Sequence, residues 1–224
     1  MPQYEPLHIT AYLQTRIVTD VFLPLDGVLL SFAMREKYGP QDASQSGRGT
    51  YEERPQLARI FWHHHDRTPH YFPACSFAQW HGTVTEDIGY WHKRLDLQYA
   101  EVLTPPTARV VTQNGRYRSY RMPVFTRHAL SVSWYAVADH ERLRHLLRFV
   151  THLGKKGSQG EGAILRWHVE SCAGDWSIIG PQGQLMRAVP CEILPEAPGE
   201  PLYVGYRPSY WEQKNQGLCH IPSG

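Results

Sequence analysis

The chain has 224 residues, enough for one large domain or for one domain carrying a substantial insertion. Hydrophobic residues make up 42%, the ordinary content of a globular protein. No apolar run approaches the roughly 20 residues that cross a bilayer, and the opening MPQYEPLHIT lacks the charged and apolar regions of an export signal. A formal net charge of +2 excludes attachment to a polyanion through bulk charge, so any such partner must be met by local basic segments.

Two such segments exist. From Arg109 to Arg127 there are five arginines (Arg109, Arg116, Arg118, Arg121, Arg127) and no acid; from Glu141 to Lys156 there are five Arg or Lys against one acid. The tail compensates, with Glu192, Glu196, Glu200 and Glu212 against Arg207 and Lys214. The four cysteines (Cys75, Cys172, Cys191, Cys219) form no C-x-x-C pair, which argues against a zinc site and for free thiols in a reducing, cytoplasmic compartment.

In chain order, Leu7 to Thr15 alternates Leu7, Ile9, Ala11 and Leu13 with polar neighbours, the pattern of a half-buried strand. Asp26 then stands as an N-cap before Val28, Leu29, Phe32 and Ala33, the core face of a helix that Gly39-Pro40 ends. Gln41 to Thr50 has loop composition. Phe61-Trp62-His63-His64-His65-Asp66 invites a metal or acid–base reading; alternate side chains of one strand point to opposite faces, so the three histidines do not converge on one metal, and the plainer reading is surface or RNA-contacting residues. His70 to Trp80 reads as a further extended segment.

From His81 to Arg127 the chain departs from a minimal fold and reads as an insertion. It carries Lys93-Arg94 and then RVVTQNGRYRSYR, in which Asn114-Gly115 between alternating runs signals a type I′ hairpin. Arg116 and Arg118 share a face of the outgoing strand with Tyr117 between them, and Arg121 follows. Arginine for phosphate with tyrosine for stacking suits single-stranded nucleic acid; a charged edge hairpin that blocks aggregation is the plainer reading. Val124 to Ala138 reads as one long strand returning to the core.

Asp139 is an N-cap, and Leu143, Leu146, Leu147, Val150 and Leu153 form the apolar stripe of a helix that Gly154 would close. The loop Gly154 to Gly162 (GKKGSQGEG) and the alternating strand Ala163 to Glu170 follow. Four glycines in nine residues let the backbone take positive φ and approach a ligand closely. Lys155, Lys156, Gly157, Ser158, Gln159 and Gly160 supply charge and donors suited to a phosphodiester chain, unless the loop is only a turn ending a helix. A P-loop would run strand, loop, helix and end in Gly-Lys-Ser/Thr, so an NTPase is rejected. Beyond Glu170, Gly180-Pro181 and Gln182-Gly183 mark a hairpin, and an aromatic tail with Tyr203, Tyr206, Tyr210 and Trp211 closes the chain.

The order helix, glycine-rich loop, strand resembles the RAMP superfamily, the RNA-binding subunits of CRISPR effector complexes, and Leu25-Asp26-Gly27-Val28-Leu29-Leu30 resembles the start of their first helix. LGKKGSQGEG with AILRWHVE and the later QLMRAVP is most similar to the handle-capping subunit of type IV complexes. The resemblance implies an α+β fold: a ferredoxin-like, RRM-like domain over 1–190, a β-hairpin thumb at about 81–127, and a C-terminal extension over 191–224. It further implies a non-catalytic role, without cofactor or metal, in binding the 5′ handle of the crRNA and capping the complex. Backbone and large subunits, a recruited helicase and target DNA near the protospacer-adjacent motif are the implied partners. Two other readings stand beside it: a metal-independent RAMP endoribonuclease using His63, His64 or His65 with Lys155, and a free-standing RRM-like chaperone, lowered by the lack of an RNP1-like run.

Overall fold

The computed structural model describes residues 3–19, 22–39, 54–65, 70–93, 102, 118–197 and 200–222. Its elements in chain order are β1 (Tyr4–Leu13), β2 (Ile17–Val18), α1 (Leu25–Tyr38), α2 (Arg54–Leu57), β3 (His63–His64), β4 (Phe72–Pro73), β5 (Gln79–His81), β6 (Thr85–Lys93) and β7 (Tyr120–His128). Then come β8 (Ser131–Asp139), α3 (His140–Leu147), β9 (Ile164–Ser171), β10 (Val189–Pro190), β11 (Leu202–Gly205) and β12 (Gln216–His220). The architecture is α+β.

The central sheet has the order β5-β8-β1-β9, every neighbouring pair antiparallel. Alternation decides its two faces. Leu7, Ile9 and Ala11 of β1 lie beside Val132, Trp134, Ala136 and Ala138 of β8, and this face packs against Leu29, Leu30, Ala33 and Met34 of α1 and Leu143, Leu146 and Leu147 of α3. Each fully buried Leu or Ile contributes about 1.5–3 kcal/mol, so this layer is the main stabilising unit. The opposite face carries His8, Thr10 and Tyr12, paired in register with Glu170, His168 and Arg166.

A second sheet, β10-β12-β11, gathers the end of the chain over Phe72, Phe77, Leu185, Val189 and Tyr206. The irregular aromatic tail of the sequence is therefore partly strand, with Tyr206 and Tyr210 packed inside rather than laid on the surface. A third sheet, β2-β7-β6, is a long ribbon: β6 and β7 pair from Thr85↔His128 to Lys93↔Tyr120. The Asn114-Gly115 turn lies outside the described residues.

Three local expectations are corrected. Asp26 is no N-cap: α1 starts after Pro24 without a side-chain cap, and Asp26, 1% exposed, lies in the first turn. Its carboxylate accepts from the Gly27 N–H at 2.8 Å and the Tyr210 hydroxyl at 2.9 Å, with the Arg187 guanidinium 3.6 Å away. Fully buried Arg187 also donates to the carbonyls of Pro73, Cys75 and Tyr206. Such a node is costly inside a protein unless its donors and acceptors are matched, and here the Arg187 Nε is left buried without a hydrogen-bond partner among the described residues.

The second correction is to α3. Asp139 caps it as expected, accepting from the Arg142 N–H at 2.9 Å, but the helix ends at Leu147 and not at Leu153. Val150 and Leu153 remain buried, yet the backbone past Leu147 turns to other partners: the Trp167 indole and Ile164 N–H of β9 donate to Val150 and Thr151, and Leu153 N–H donates to Gly162. The third is that Val124 to Ala138 is two strands. At Ala129–Leu130 the chain crosses between sheets, Leu130 N–H donating to His81 and Leu130 accepting from Leu13.

Candidate nucleic-acid interface

The glycine loop is a built structure and not a loose turn. Gly154, Gly160 and Gly162 all have positive φ, and so does Lys156 at 66°. Between them Gly157–Gln159 forms one 3-10 turn. At Gly162 a Cβ would meet the Leu153 carbonyl at 1.9 Å, and at Gly154 the Val18 carbonyl at 2.4 Å, so close backbone approach dictates glycine at both.

The turn between β1 and β2 holds the loop in place. Gly162 N–H donates to Arg16 at 2.7 Å, and Lys155 N–H to Val18 at 2.6 Å. The Thr15 hydroxyl donates to Gly160 and accepts from Ala163, each at 2.8 Å, and Arg16 makes a forked ion pair with Glu161. Val18 pairs with Thr126 of β7 on one side and with Lys155 on the other. The loop is thereby carried on the edge of the ribbon sheet.

Across the gap from the loop lies one face of the ribbon. Trp91 and Met122 are directly opposed in β6 and β7, and the Lys156 ammonium sits 3.7 Å from the centre of the Trp91 ring. The Tyr120 ring meets Trp91 edge-on at 5.1 Å. Together Val18, Trp91, Met122, Val124, Lys155 and Lys156 line a cleft of about 330 Å³. A larger hollow of about 720 Å³ next to it is lined by Glu86 and Asp87 besides Ile88, Phe125 and Arg127. Its carboxylates, one paired with Arg127, make it the poorer host for a phosphate.

The expected RNA-binding residues are distributed as follows. Lys155 to Gly160 form the loop itself, with Ser158, Gln159 and Gly160 exposed. Arg118 is exposed just ahead of β7, and Lys93 ends β6 opposite Tyr120. Arg121 pairs with His92 and lies 3.6 Å over the Tyr90 ring, on the ribbon face that alternation turns away from Trp91. Arg94, Arg116 and Tyr117 lie outside the described residues. The sequence reading missed Trp91 and Met122; the alternation of Gly89 and Trp91 against Ile88 and Tyr90 was the available signal.

The histidine run occupies different surroundings. His63 is buried beside Tyr71, while the His64 Nε2 lies 3.1 Å from the Ser177 hydroxyl and 3.5 Å from Asp175. Burial holds His64 below the ordinary histidine range despite Asp175, so the ring is neutral at neutral pH. The Ser177 hydroxyl donates to Asp175 at 2.6 Å, so Nε2–H donates to Ser177. Serine and aspartate share one ring nitrogen, whereas a nucleophilic triad places them on opposite nitrogens. Among the described residues no three His, Cys, Asp or Glu side chains are grouped to hold a metal ion, and no helix is long and apolar enough to cross a membrane.

The chain that braces this basic glycine loop against the β6–β7 ribbon is similar to CRISPR-associated proteins of type IV. The model of one such family matches residues 5–222, nearly the whole chain. That family is Csf3, described as CRISPR type IV associated protein Csf3, and the chain belongs to it. No curated protein matches the chain.

Proposed function

We propose that this chain is a non-catalytic RNA-binding subunit that holds the 5′ handle of the crRNA and caps one end of a type IV CRISPR ribonucleoprotein. The observation that carries this reading is the braced glycine loop, which sets Lys155 and Lys156 at the mouth of a cleft walled by Trp91 and Met122. Cations on a fixed backbone beside an aromatic face suit a single strand.

A ferredoxin-like core is supported by the run β1-α1-β5-β8-α3-β9 together with the strand order β5-β8-β1-β9. The β6–β7 ribbon interrupts that run between β5 and β8, which supports its reading as a thumb. On this proposal the neighbours are backbone and large subunits, a helicase is recruited by the complex, and the capped end shares in reading target DNA beside the protospacer-adjacent motif.

The runner-up, a metal-independent RAMP endoribonuclease, asks His63, His64 or His65 to work beside the loop. Against it stands the packing of His63 and His64 among Tyr71, Phe72, Ser177 and Asp175, while the loop packs on Arg16 and Val18. One experiment addresses both readings. Wild type and a Lys155→Glu/Lys156→Glu variant are titrated with labelled repeat RNA at several salt concentrations, and the RNA is then run on a denaturing gel. The expected result is intact RNA throughout, with the variant losing affinity and about 0.7 unit of salt slope per lost phosphate contact, the value for a single strand. Unchanged affinity and slope would remove the loop from the site, and cleavage at one repeat position would favour the nuclease.

A further inference from the structure

We propose that the cleft between the glycine loop and the ribbon is a stacking subsite for a single everted base of the bound strand. The base would lie on Trp91 while the Lys156 ammonium moves from the indole to the adjoining phosphate. This rests on the RNA-binding reading above and adds to it where one nucleotide goes.

Four observations converge on this arrangement. The volume, about 330 Å³, falls at the lower end of pockets that enclose one small ligand. Trp91 presents a ring face toward the loop, as its contact with Lys156 at 3.7 Å records, and Tyr120 supports its edge. A cation over an indole already exploits the electron-rich face that a base would use, so exchanging one for the other keeps the ring covered. Met122, directly across from Trp91, is 51% exposed, leaving an adaptable apolar surface in solvent beside two lysines.

The left-handed backbone at Lys156 fixes where its side chain starts, and the bond from Lys155 N–H to Val18 fixes the loop against β2. Cation and ring are therefore positioned by separate strands of one sheet.

The chemistry of the lining also specifies how the base is read. No carboxylate or side-chain amide of the described residues lines the cleft. The polar side chains of its lining are Thr19, Lys155 and Lys156, without the carboxylates and amides that read cytosine and adenine edges. The subsite therefore takes a base chiefly by its face, which every base presents.

The test uses the full chain and a labelled single-stranded RNA of the repeat handle. Trp91→Ala should weaken binding by roughly tenfold, within the range for loss of one stacked base, and leave the salt slope unchanged. Trp91→Phe should bind nearly as wild type but lose part of the tryptophan quenching that RNA produces. An abasic substitution at one nucleotide should weaken wild type as Trp91→Ala does and add nothing in that variant, whereas exchanging that base should change little. If Trp91→Ala binds as wild type while Lys155→Glu/Lys156→Glu does not, the subsite is overturned and the RNA-binding reading survives. If Trp91→Ala lowers the salt slope like the lysine variant, Trp91 only positions Lys156 and the subsite is likewise overturned. Failure of wild type to bind at low salt would overturn both.

Discussion

Gly160 and Gly162 offer a matched pair of substitutions that separates conformational strain from backbone collision. Both have positive φ, 83° and 71°, so alanine at either meets the left-handed penalty, about 1–2 kcal/mol. At Gly160 nothing lies within 4 Å of the added Cβ, and the penalty ends there. At Gly162 the Cβ would fall 1.9 Å from the Leu153 carbonyl. The loop must then withdraw, releasing the bonds from Leu153 N–H to Gly162 at 2.9 Å and from Gly162 N–H to Arg16 at 2.7 Å. At about 1 kcal/mol for each net hydrogen bond, Gly162→Ala is expected to lose about 3–4 kcal/mol. Urea unfolding followed by circular dichroism measures both variants, and anisotropy with labelled RNA measures the site. Gly160→Ala should unfold slightly earlier and still bind, whereas Gly162→Ala should lose both stability and affinity. Equal losses in the two variants would refute the claim that close approach, rather than φ alone, dictates glycine at 162.

Two further outcomes concern the core and the helix layer. Arg187→Met strands Asp26 without its cation and should cost about 3–5 kcal/mol, with Asp26→Asn/Arg187→Met recovering part of it in a double-mutant cycle. Burial already raises the Asp26 pKa against the pull of Arg187 and Tyr210. A raised carboxyl contributes stability that is full below the ordinary carboxylate range and lost as pH rises through the folded value, so the deficit of Arg187→Met relative to wild type should shrink on acidification. Glu36 behaves oppositely: its hydrogen bond from Arg142, helped by His145, lowers its pKa. Its contribution is full above the ordinary range and lost as pH falls through the depressed value, and because the pair is partly exposed Glu36→Gln should remove at most about 1 kcal/mol at neutral pH and less in high salt.

The elements legible in the sequence are those whose cause is local. Leu7, Ile9 and Ala11 alternate because one face of β1 is covered, and Asp139 caps α3 through its own third neighbour. The glycine loop was legible for the same reason, positive φ being a property of single residues. What escaped depends on distant partners. Asp26 has the look of a cap until Tyr210 and Arg187 are brought to it. Val150 and Leu153 keep helical spacing but lose the helix, because Trp167 of β9 takes the Val150 carbonyl and Gly162 of the loop takes the Leu153 N–H. The alternation from Val124 to Ala138 is continuous in sequence although the chain changes sheets at Leu130. Alternation separates Trp91 from Tyr90, but both faces of the ribbon carry aromatics, and the position of the loop decides which of them faces it.

The bond between Asp26 and Tyr210 spans 184 residues. At a ribosomal rate of about 5–20 residues per second, Tyr210 is made roughly 10–40 s after the first helix. Throughout that interval the nascent chain holds a carboxylate whose burial has no matching hydroxyl. The buried carboxylate of the first helix can meet its full set of partners only once the last quarter of the polypeptide has been made. A message truncated before Tyr210 would yield a protein unable to seal its own middle.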